Sequence, residues 1–191
     1  MKHYIVYIPG LGDGYDGLRR FLLFFWRIFG VKVEHVPMKW YDTKSYEEKY
    51  KRVDAAIRNA QALGYTVSVI GESAGGSIAM NLFARNETLH RLISLCGVNS
   101  YRTPISPRIF QRSPAFKESV SMLNESQTDA LKRVKHITSV TARYDPTVPI
   151  KSNIIPGARH VTIWSVGHLT TILLCLSLFS FVLVREVRRN I

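Results

Sequence analysis

Short apolar runs rich in β-branched residues recur along the chain and alternate with segments of helical period. Six such runs predict strands at 4–8, 31–36, 66–70, 92–95, 137–141 and 161–165. Short, nearly continuous apolar strands separated by helices are typical of a parallel sheet that is covered on both faces. The pattern therefore predicts a compact α/β fold in one domain, residues 1–191, with a mainly parallel sheet of six strands.

Helix signals lie between these strands. Ser45 and Glu48 match a capping box, after which apolar residues recur at helical spacing until Gly64, a suitable terminator. A second helix is expected after Ser73, and a third over 125–134. These helices are long enough to connect parallel strands.

Residues 100–123 differ from the rest because three prolines interrupt them. We expect a loop-rich insertion that forms a small cap over the site. Its apolar side chains are candidates to contact the apolar part of a substrate: Ile105, Ile109, Phe110 and Phe116.

The segment 18–29, LRRFLLFFWRIF, has helical period. It carries a stripe that predicts a buried face: Leu18, Leu22, Phe25 and Phe29. Leu23 and Phe24 project near the side that carries Arg20 and Arg27. This second side leaves a membrane-surface or substrate-gate role open.

The run 169–184 contains no charged residue. As one helix it would be about 24 Å long, from 1.5 Å per residue. A hydrocarbon core is about 30 Å thick, so the run predicts a buried final helix rather than a membrane span. Interfacial attachment and dimerisation remain alternatives.

The stretch GESAG, residues 71–75, stands where the third strand becomes a helix. This context is the one that a nucleophile elbow requires, because a sharp turn projects Ser73 above the sheet. Gly71 and Gly75 remove side chains that would obstruct the crossing, and the Ala74 amide can point toward an oxyanion. The alternative is a tight packing turn with no chemical role.

A serine nucleophile needs a base, and His168 is the best-placed histidine. It follows the last strand and is therefore expected at the carboxyl edge of the sheet, where open α/β sheets build their sites. The other histidines lie beside, within or before strands: His3, His35, His90, His136 and His160.

The acid that orients this base is expected to be Asp145. It follows the fifth strand, in the proline-stiffened stretch YDPTVP, and its alternative role is that of a turn residue. Asp129 lies in a predicted helix, and Glu72 is tied to the turn and faces away from the expected histidine position. The catalytic residues predicted from the sequence are therefore Ser73, Asp145 and His168.

The loop after the first strand, PGLGDG, supplies the remaining part of the predicted site. Its glycines, including Gly10 and Gly12, allow backbone amides to approach a substrate. We expect the Leu11 amide to join that of Ala74 in an oxyanion hole, and a contribution from the Gly12 amide is left open. The later glycines of this loop reproduce GxGxxG. However, no acidic residue follows at the spacing of a dinucleotide site.

These motifs together resemble the α/β-hydrolase superfamily over nearly the whole chain: PGLGDG, GESAG, the late aspartate in YDPTVP, and the terminal GH before a helix. The resemblance implies a serine esterase, lipase or thioesterase. The chain departs from the family pattern in its shortness and in Pro9, which stands where a histidine often precedes the first glycine.

The amino-acid composition limits the classes of partner that are expected for this protein. The chain has 26 Lys and Arg against 14 Asp and Glu, a formal charge of +12, yet no basic block with interleaved aromatic residues, so nucleic-acid binding is not expected. Cys96 and Cys175 lie in apolar runs and are expected to be buried thiols. The first residues lack a signal-peptide layout, which favours a cytoplasmic protein, with peripheral membrane contact left open.

The sequence therefore predicts a serine hydrolase that cleaves a small-molecule acyl ester or thioester through an acyl-enzyme, with no metal and no cofactor. The alternative is a noncatalytic binding protein of the same fold, associated with membranes through its basic and apolar segments. The oligomeric state is left open.

Overall fold

The fold is a six-stranded parallel sheet between two layers of helices, seen in a computed structural model that describes residues 2–189. Strands β1–β6 span His3–Ile8, Lys32–His35, Thr66–Glu72, Leu92–Leu95, Ile137–Tyr144 and Arg159–Val166. Helices α1–α9 span Asp16–Phe24, Tyr46–Ala62, Gly75–Arg85, Pro107–Arg112, Pro114–Ser121, Leu123–Leu131, Ile150–Asn153, His168–Leu176 and Ser180–Arg188. Three 3₁₀ turns cover Asp13–Tyr15, Phe25–Phe29 and Val134–His136.

The strand order is β2-β1-β3-β4-β5-β6, and every adjacent pair is parallel. This confirms the predicted sheet, and each predicted strand overlaps an observed one. The central strands are buried along most of their length because helices cover both faces, which explains why they contain unbroken apolar runs. Because all strands run the same way, their carboxyl ends meet at one edge.

One apolar cluster joins the sheet to α2, α3, α5 and α6, and a second joins the opposite face to α1, α8 and α9. The first helix signal is confirmed. The Ser45 hydroxyl accepts a hydrogen bond from the Glu48 amide at 3.2 Å, and the Glu48 carboxylate accepts one from the Ser45 amide at 3.1 Å. Gly64 follows the end of this helix with a φ of 77°.

The segment 100–123 is more ordered than the predicted loop. Pro107 and Pro114 each occupy the first position of a helix, α4 and α5. Proline favours that position because its missing amide would lack a helical acceptor anyway. Helix α5 packs against α2 and α3 and buries Phe116, so this part of the segment belongs to the helical layer on that face.

The predicted buried stripe of residues 18–29 is wrong at two of its four positions. Leu18 and Phe25 are exposed, whereas Leu22 and Phe29 are partly buried against the core. The side that faces the core carries Arg19, Leu23 and Trp26. The stripe failed because apolar residues occur on every side of this segment, so periodicity alone did not select the inward face. The inward face is the one that carries Arg19, whose side chain is buried.

The predicted final helix is broken into α8 and α9. The pair bends by 69°, and the break follows Ser177, whose hydroxyl donates to the Leu173 carbonyl at 2.7 Å. Serine bonds of this kind compete with the helical backbone. In residues 2–189 no single helix has the length and apolarity to cross a membrane, although this bent pair together has the composition.

Candidate functional site

Ser73 occupies a strained turn between β3 and α3. Its φ of 49° lies in the left-handed region, which a non-glycine residue adopts only when its surroundings enforce it. The Ser73 amide donates to the Leu95 carbonyl at 3.0 Å, and the Ser73 carbonyl accepts from the Val98 amide at 2.9 Å. The neighbouring strand end therefore holds the turn on both sides and leaves the hydroxyl half-exposed at the carboxyl edge.

Glycines permit the crowding around this turn. A Cβ at Gly75 would lie 2.2 Å from the Ile8 carbonyl oxygen, and a Cβ at Gly71 would lie 2.6 Å from the Ala79 Cβ. Gly10 is equally constrained, since its Cβ would lie 2.6 Å from that of Ser73. The first loop, the turn and α3 thus approach one another as closely as backbones allow.

Replacement of Gly75 by alanine should destabilise the protein by about 1–3 kcal/mol or more, because the new methyl group overlaps backbone that cannot move aside. Gly17→Ala is the matched control: a Cβ there meets nothing within 4 Å. The control lies in α1 and should be neutral or stabilising by about 0.5–1 kcal/mol. Urea unfolding measures both, and equal effects would contradict the packing described.

The three predicted side chains lie in one hydrogen-bonded chain. The Ser73 Oγ is 2.8 Å from His168 Nε2, and His168 Nδ1 is 2.6 Å from Asp145 Oδ2. His168 begins α8 directly after β6, and Asp145 follows β5, so the sheet delivers both to the edge where the serine turn lies. In this geometry the imidazole can accept the serine proton while the carboxylate stabilises the resulting charge.

Asp145 is held for this contact by its own loop. Its Oδ1 accepts hydrogen bonds from the amides of Thr147 and Val148 at 2.8 and 2.9 Å, which leaves Oδ2 for the imidazole. Burial by itself raises the pKa of this carboxyl, but the His168 contact and the two amides outweigh burial, and the net pKa lies below its ordinary value of 3.8. The group is therefore an anion at neutral pH.

The lowered pKa has a consequence for stability. A carboxylate with a depressed folded pKa contributes stability that is fully present above its unfolded value and is lost as the pH falls through the folded value. Asp145→Asn should therefore lower the free energy of unfolding at neutral pH, and the difference from the unmodified protein should shrink below pH 3.8.

Urea unfolding between about pH 6 and pH 2 tests this dependence. Asp129→Asn provides the control, because that carboxylate lies on the surface of α6. A constant difference across the range, or the same pH profile in both variants, would contradict the assigned contacts.

One amide of the first loop, that of Leu11, and one amide of the serine turn, that of Ala74, have no acceptor among residues 2–189. The Gly10 amide, in contrast, donates to Glu72 at 3.3 Å, and Gly12 adopts a left-handed φ of 97°. The Leu11 and Ala74 amides are thus free to donate to a substrate, whereas the Gly10 amide is already bonded to Glu72.

A buried ion pair that sequence reasoning missed fixes this loop. Arg19 is 2 % exposed and Glu72 is 1 % exposed. The Arg19 Nε and Nη2 donate to the two carboxylate oxygens at 2.8 and 2.6 Å. Arg19 also donates to the Gly12 carbonyl at 2.9 Å, and the Tyr7 hydroxyl donates to Glu72. The pair therefore joins the residue that precedes Ser73 to the first loop.

The charges of this pair reinforce each other. Burial disfavours the Arg19 charge, but the Glu72 carboxylate outweighs burial and raises the pKa of the guanidinium. Burial together with Glu72 also raises the pKa of Tyr7, which keeps its hydroxyl a donor. The carboxylate of Glu72, next to Ser73 in a buried strand, was the available signal for Arg19, because a buried charge requires a partner.

The predicted substrate contacts Phe110 and Phe116 lie in different environments. Phe116 is 2 % exposed and packs edge-on against Trp40, with ring centroids 5.6 Å apart, whereas Phe110 is only partly buried. Trp40 donates to the Pro9 carbonyl at 3.0 Å, so these rings adjoin the first loop. Phe110 is the ring with free surface, and Phe116 supports it from the core.

Cys96 lies beside the hydrogen-bonded chain. Its Sγ, a carboxylate oxygen of Asp145 and a ring nitrogen of His168 all lie within 4.8 Å of one another. A metal ion would need the thiolate, yet burial strongly raises the pKa of this thiol. Asp145 and His168 are also already bonded to each other. This group is therefore poorly suited to hold a metal ion.

Comparison with known proteins gives a likeness of fold. No protein-family model and no curated protein matches the sequence. A structure of the metagenome-derived lipolytic enzymes LipS and LipT aligns with a TM-score of 0.74 at 15% identity, covering 99% of this chain and 94% of that chain. A monoacylglycerol lipase from Paleococcus ferrophilus aligns with a TM-score of 0.65 at 14% identity, covering 86% and 85%.

A meta-cleavage product hydrolase from Pseudomonas fluorescens aligns with a TM-score of 0.66 at 17% identity, covering 97% of this chain and 90% of that chain. The alignments cover 85% or more of each chain, so the likeness extends over most of the fold. The chain has the fold of the α/β-hydrolase superfamily.

Proposed function

We propose that this protein is a serine hydrolase that cleaves an acyl ester or thioester. The observation that carries the proposal is the continuous chain of contacts from Ser73 through His168 to Asp145, at 2.8 and 2.6 Å. A serine hydroxyl is a weak nucleophile alone, and a histidine oriented by a carboxylate is the arrangement that activates it.

In the proposed reaction the Ser73 oxygen attacks the acyl carbonyl carbon while His168 Nε2 takes the serine proton. The negative oxygen of the tetrahedral intermediate accepts hydrogen bonds from the Leu11 and Ala74 amides. His168 then donates its proton to the departing alcohol or thiol, which leaves an acyl group on Ser73. Water, deprotonated by His168, releases the acid and restores the serine.

Esters and thioesters suit this site because their leaving groups need little assistance beyond one proton. The apolar surface near the first loop, including Leu11 and Phe110, favours an acyl chain over a charged substrate. Asp145 stays ionised throughout and stabilises the imidazolium in both halves of the reaction. Each step uses the protein and water alone.

Substrate profiling tests the proposal. Purified protein is supplied with p-nitrophenyl acyl esters of increasing chain length, the matching acyl thioesters, and p-nitroanilides as amides. We expect turnover of esters and thioesters and far slower turnover of anilides, with all activity lost in Ser73→Ala. Ser121→Ala, an exposed serine of α5, is the control. Equal rates for the unmodified protein and Ser73→Ala would overturn the proposal.

A further inference from the structure

The outer surface of α1 and of the 3₁₀ turn that follows it is unusually apolar. Phe21 is 60 % exposed and Ile28 is 74 % exposed. Phe24 and Phe25 stand edge to face, with centroids 5.6 Å apart, and Phe21 contacts Phe25 in the same way at 5.1 Å. We call Phe21, Phe24, Phe25 and Ile28 the aromatic cluster. It takes no part in the core, which this segment contacts through its other side.

The apolar surface continues onto α8 and α9. The Trp26 indole donates to the Leu176 carbonyl at 2.9 Å, which fixes the two elements side by side. At the break between α8 and α9, Leu178 is 72 % exposed, and Phe181 in the next turn is 51 % exposed. An open groove of about 560 Å³ between Phe29 and α9 includes Phe181 in its lining.

All the exposed charged residues in 17–32 and 168–189 are basic. Residues 17–32 contain no acidic residue, and in residues 168–189 the one acid, Glu186, is buried and paired with Arg159 at 2.9 Å. The exposed basic residues are Arg20, Arg27, Lys32, Arg185, Arg188 and Arg189. Arg27 lies with its guanidinium carbon 3.1 Å from the centroid of the Phe24 ring, so charge and aromatic surface are directly joined.

The opposite helical layer shows that this surface is particular to one face. Helix α2 also covers the sheet, but its exposed positions are small or polar and carry both signs of charge, for example Glu47, Lys51 and Arg58. Lys51 and Arg58 are paired with acids one turn away. An ordinary solvated helix of this protein therefore looks different from the face formed by α1, α8 and α9.

We propose that the face of α1, α8 and α9 docks onto an anionic phospholipid bilayer. The aromatic cluster would enter the headgroup region, where amphipathic and aromatic surfaces are stabilised, and the arginines would contact lipid phosphates. Charge complementarity favours an anionic membrane over a second copy of this chain, because two copies of the same basic face repel each other.

The docking face and the proposed site lie at different ends of these elements. Helix α1 begins just after the first loop, and α8 begins with His168, so both elements start at the site. The aromatic cluster lies toward the other end of α1, where Phe24 and Arg27 line a pocket with Tyr4 and Lys32 from the first residues of β1 and β2. The bilayer would therefore lie away from the edge that holds Ser73. Binding itself needs no hydrolytic activity, and its test is read separately from turnover.

Flotation with vesicles tests the proposal. The vesicles are phosphatidylcholine with or without phosphatidylglycerol, at low and high salt. Two variants remove the two contributions: Arg20→Gln/Arg27→Gln removes charge, and Phe24→Ser/Ile28→Ser removes apolar surface. Lys51→Gln/Arg58→Gln on α2 removes the same number of charges and is the matched control. Hydrolysis of a soluble short-chain ester should be unchanged in all three.

We expect salt-sensitive binding to the anionic vesicles only. The arginine variant should bind about 25-fold more weakly, from about fivefold per basic residue near an anionic surface. The apolar variant should also bind more weakly, and the α2 control should bind like the unmodified protein.

Three results would overturn the proposal. The first is no binding to anionic vesicles, and the second is an equal loss in the α2 control, which would indicate net charge alone. The third is a dimer, detected by light scattering, that Phe24→Ser/Ile28→Ser dissociates while vesicle binding is unchanged. That result would identify the face as a contact between copies.

Discussion

Replacement of Ser73 by alanine should lower kcat for a p-nitrophenyl acyl ester by about 10⁶-fold, because the group that forms the acyl-enzyme is then missing. The effect should fall on kcat more than on KM, since the hydroxyl contributes little to ground-state binding. Stopped-flow or end-point release of p-nitrophenol measures it. The fold should be retained, because the small side chain leaves the strained backbone of the turn unchanged.

His168 supplies the internal control for this prediction. Groups that act as a unit are not additive, so His168→Ala alone and the double variant Ser73→Ala/His168→Ala should have nearly the same residual rate as Ser73→Ala. Asp145→Asn should cost less, about 10⁴-fold, since the imidazole remains but is wrongly oriented. Multiplicative losses in the double variant would show that the two residues act separately, against the contact at 2.8 Å.

Replacement of Arg19 by methionine should destabilise the protein by about 3–5 kcal/mol, the usual cost of leaving a buried charge without its partner. Glu72 would keep only the Tyr7 hydroxyl and the Gly10 amide as donors. The first loop would also lose its tie at the Gly12 carbonyl, so kcat for esters should fall while KM changes less. Urea unfolding and ester kinetics on the same preparation give both numbers.

The matched control for Arg19→Met is the same substitution at its neighbour, Arg20. Arg20 has the same charge in the same helix turn but is exposed, and Arg20→Met should change stability by less than about 0.5 kcal/mol. The double variant Arg19→Met/Glu72→Gln should recover part of the stability lost in Arg19→Met, because no uncompensated carboxylate remains. Purely additive losses would contradict a direct role for the ion pair.

The sheet could be predicted from the sequence because its signals are local and strong. Buried parallel strands need continuous apolar runs, and the run at 92–95 matches β4 at both ends. The positions of Asp145 and His168 followed from the sheet, since residues after parallel strands meet at one edge. Periodicity and chain order were sufficient for these features.

The parts that could not be predicted depend on contacts between distant residues. Arg19 faces inward because Glu72, more than fifty residues away, requires a counter-charge there. The pattern of apolar residues in 18–29 gives no information about that partner, so it predicts the wrong inward face for this segment. The break at Ser177 has a local cause instead: its side-chain hydroxyl donates to the Leu173 carbonyl inside a run that the apolar pattern predicts as one helix.

The predicted loop at residues 100–123 was wrong for a different reason. Prolines in this segment predict a loop, although Pro107 and Pro114 begin helices. The same residue type ends one helix and starts the next, and only the following apolar positions distinguish the two cases. The expectation that this segment covers the substrate stays a prediction, and Phe110 is the residue through which to test it.

Covalent labelling by a fluorophosphonate, read by intact mass and peptide mapping, tests whether Ser73 is an activated nucleophile. We expect one adduct per chain, on Ser73, with none in Ser73→Ala and greatly slowed labelling in His168→Ala. Ser121→Ala should label like the unmodified protein. No adduct on Ser73, or labelling that is as fast without His168, would contradict this role of Ser73 and favour a noncatalytic binding protein of the same fold.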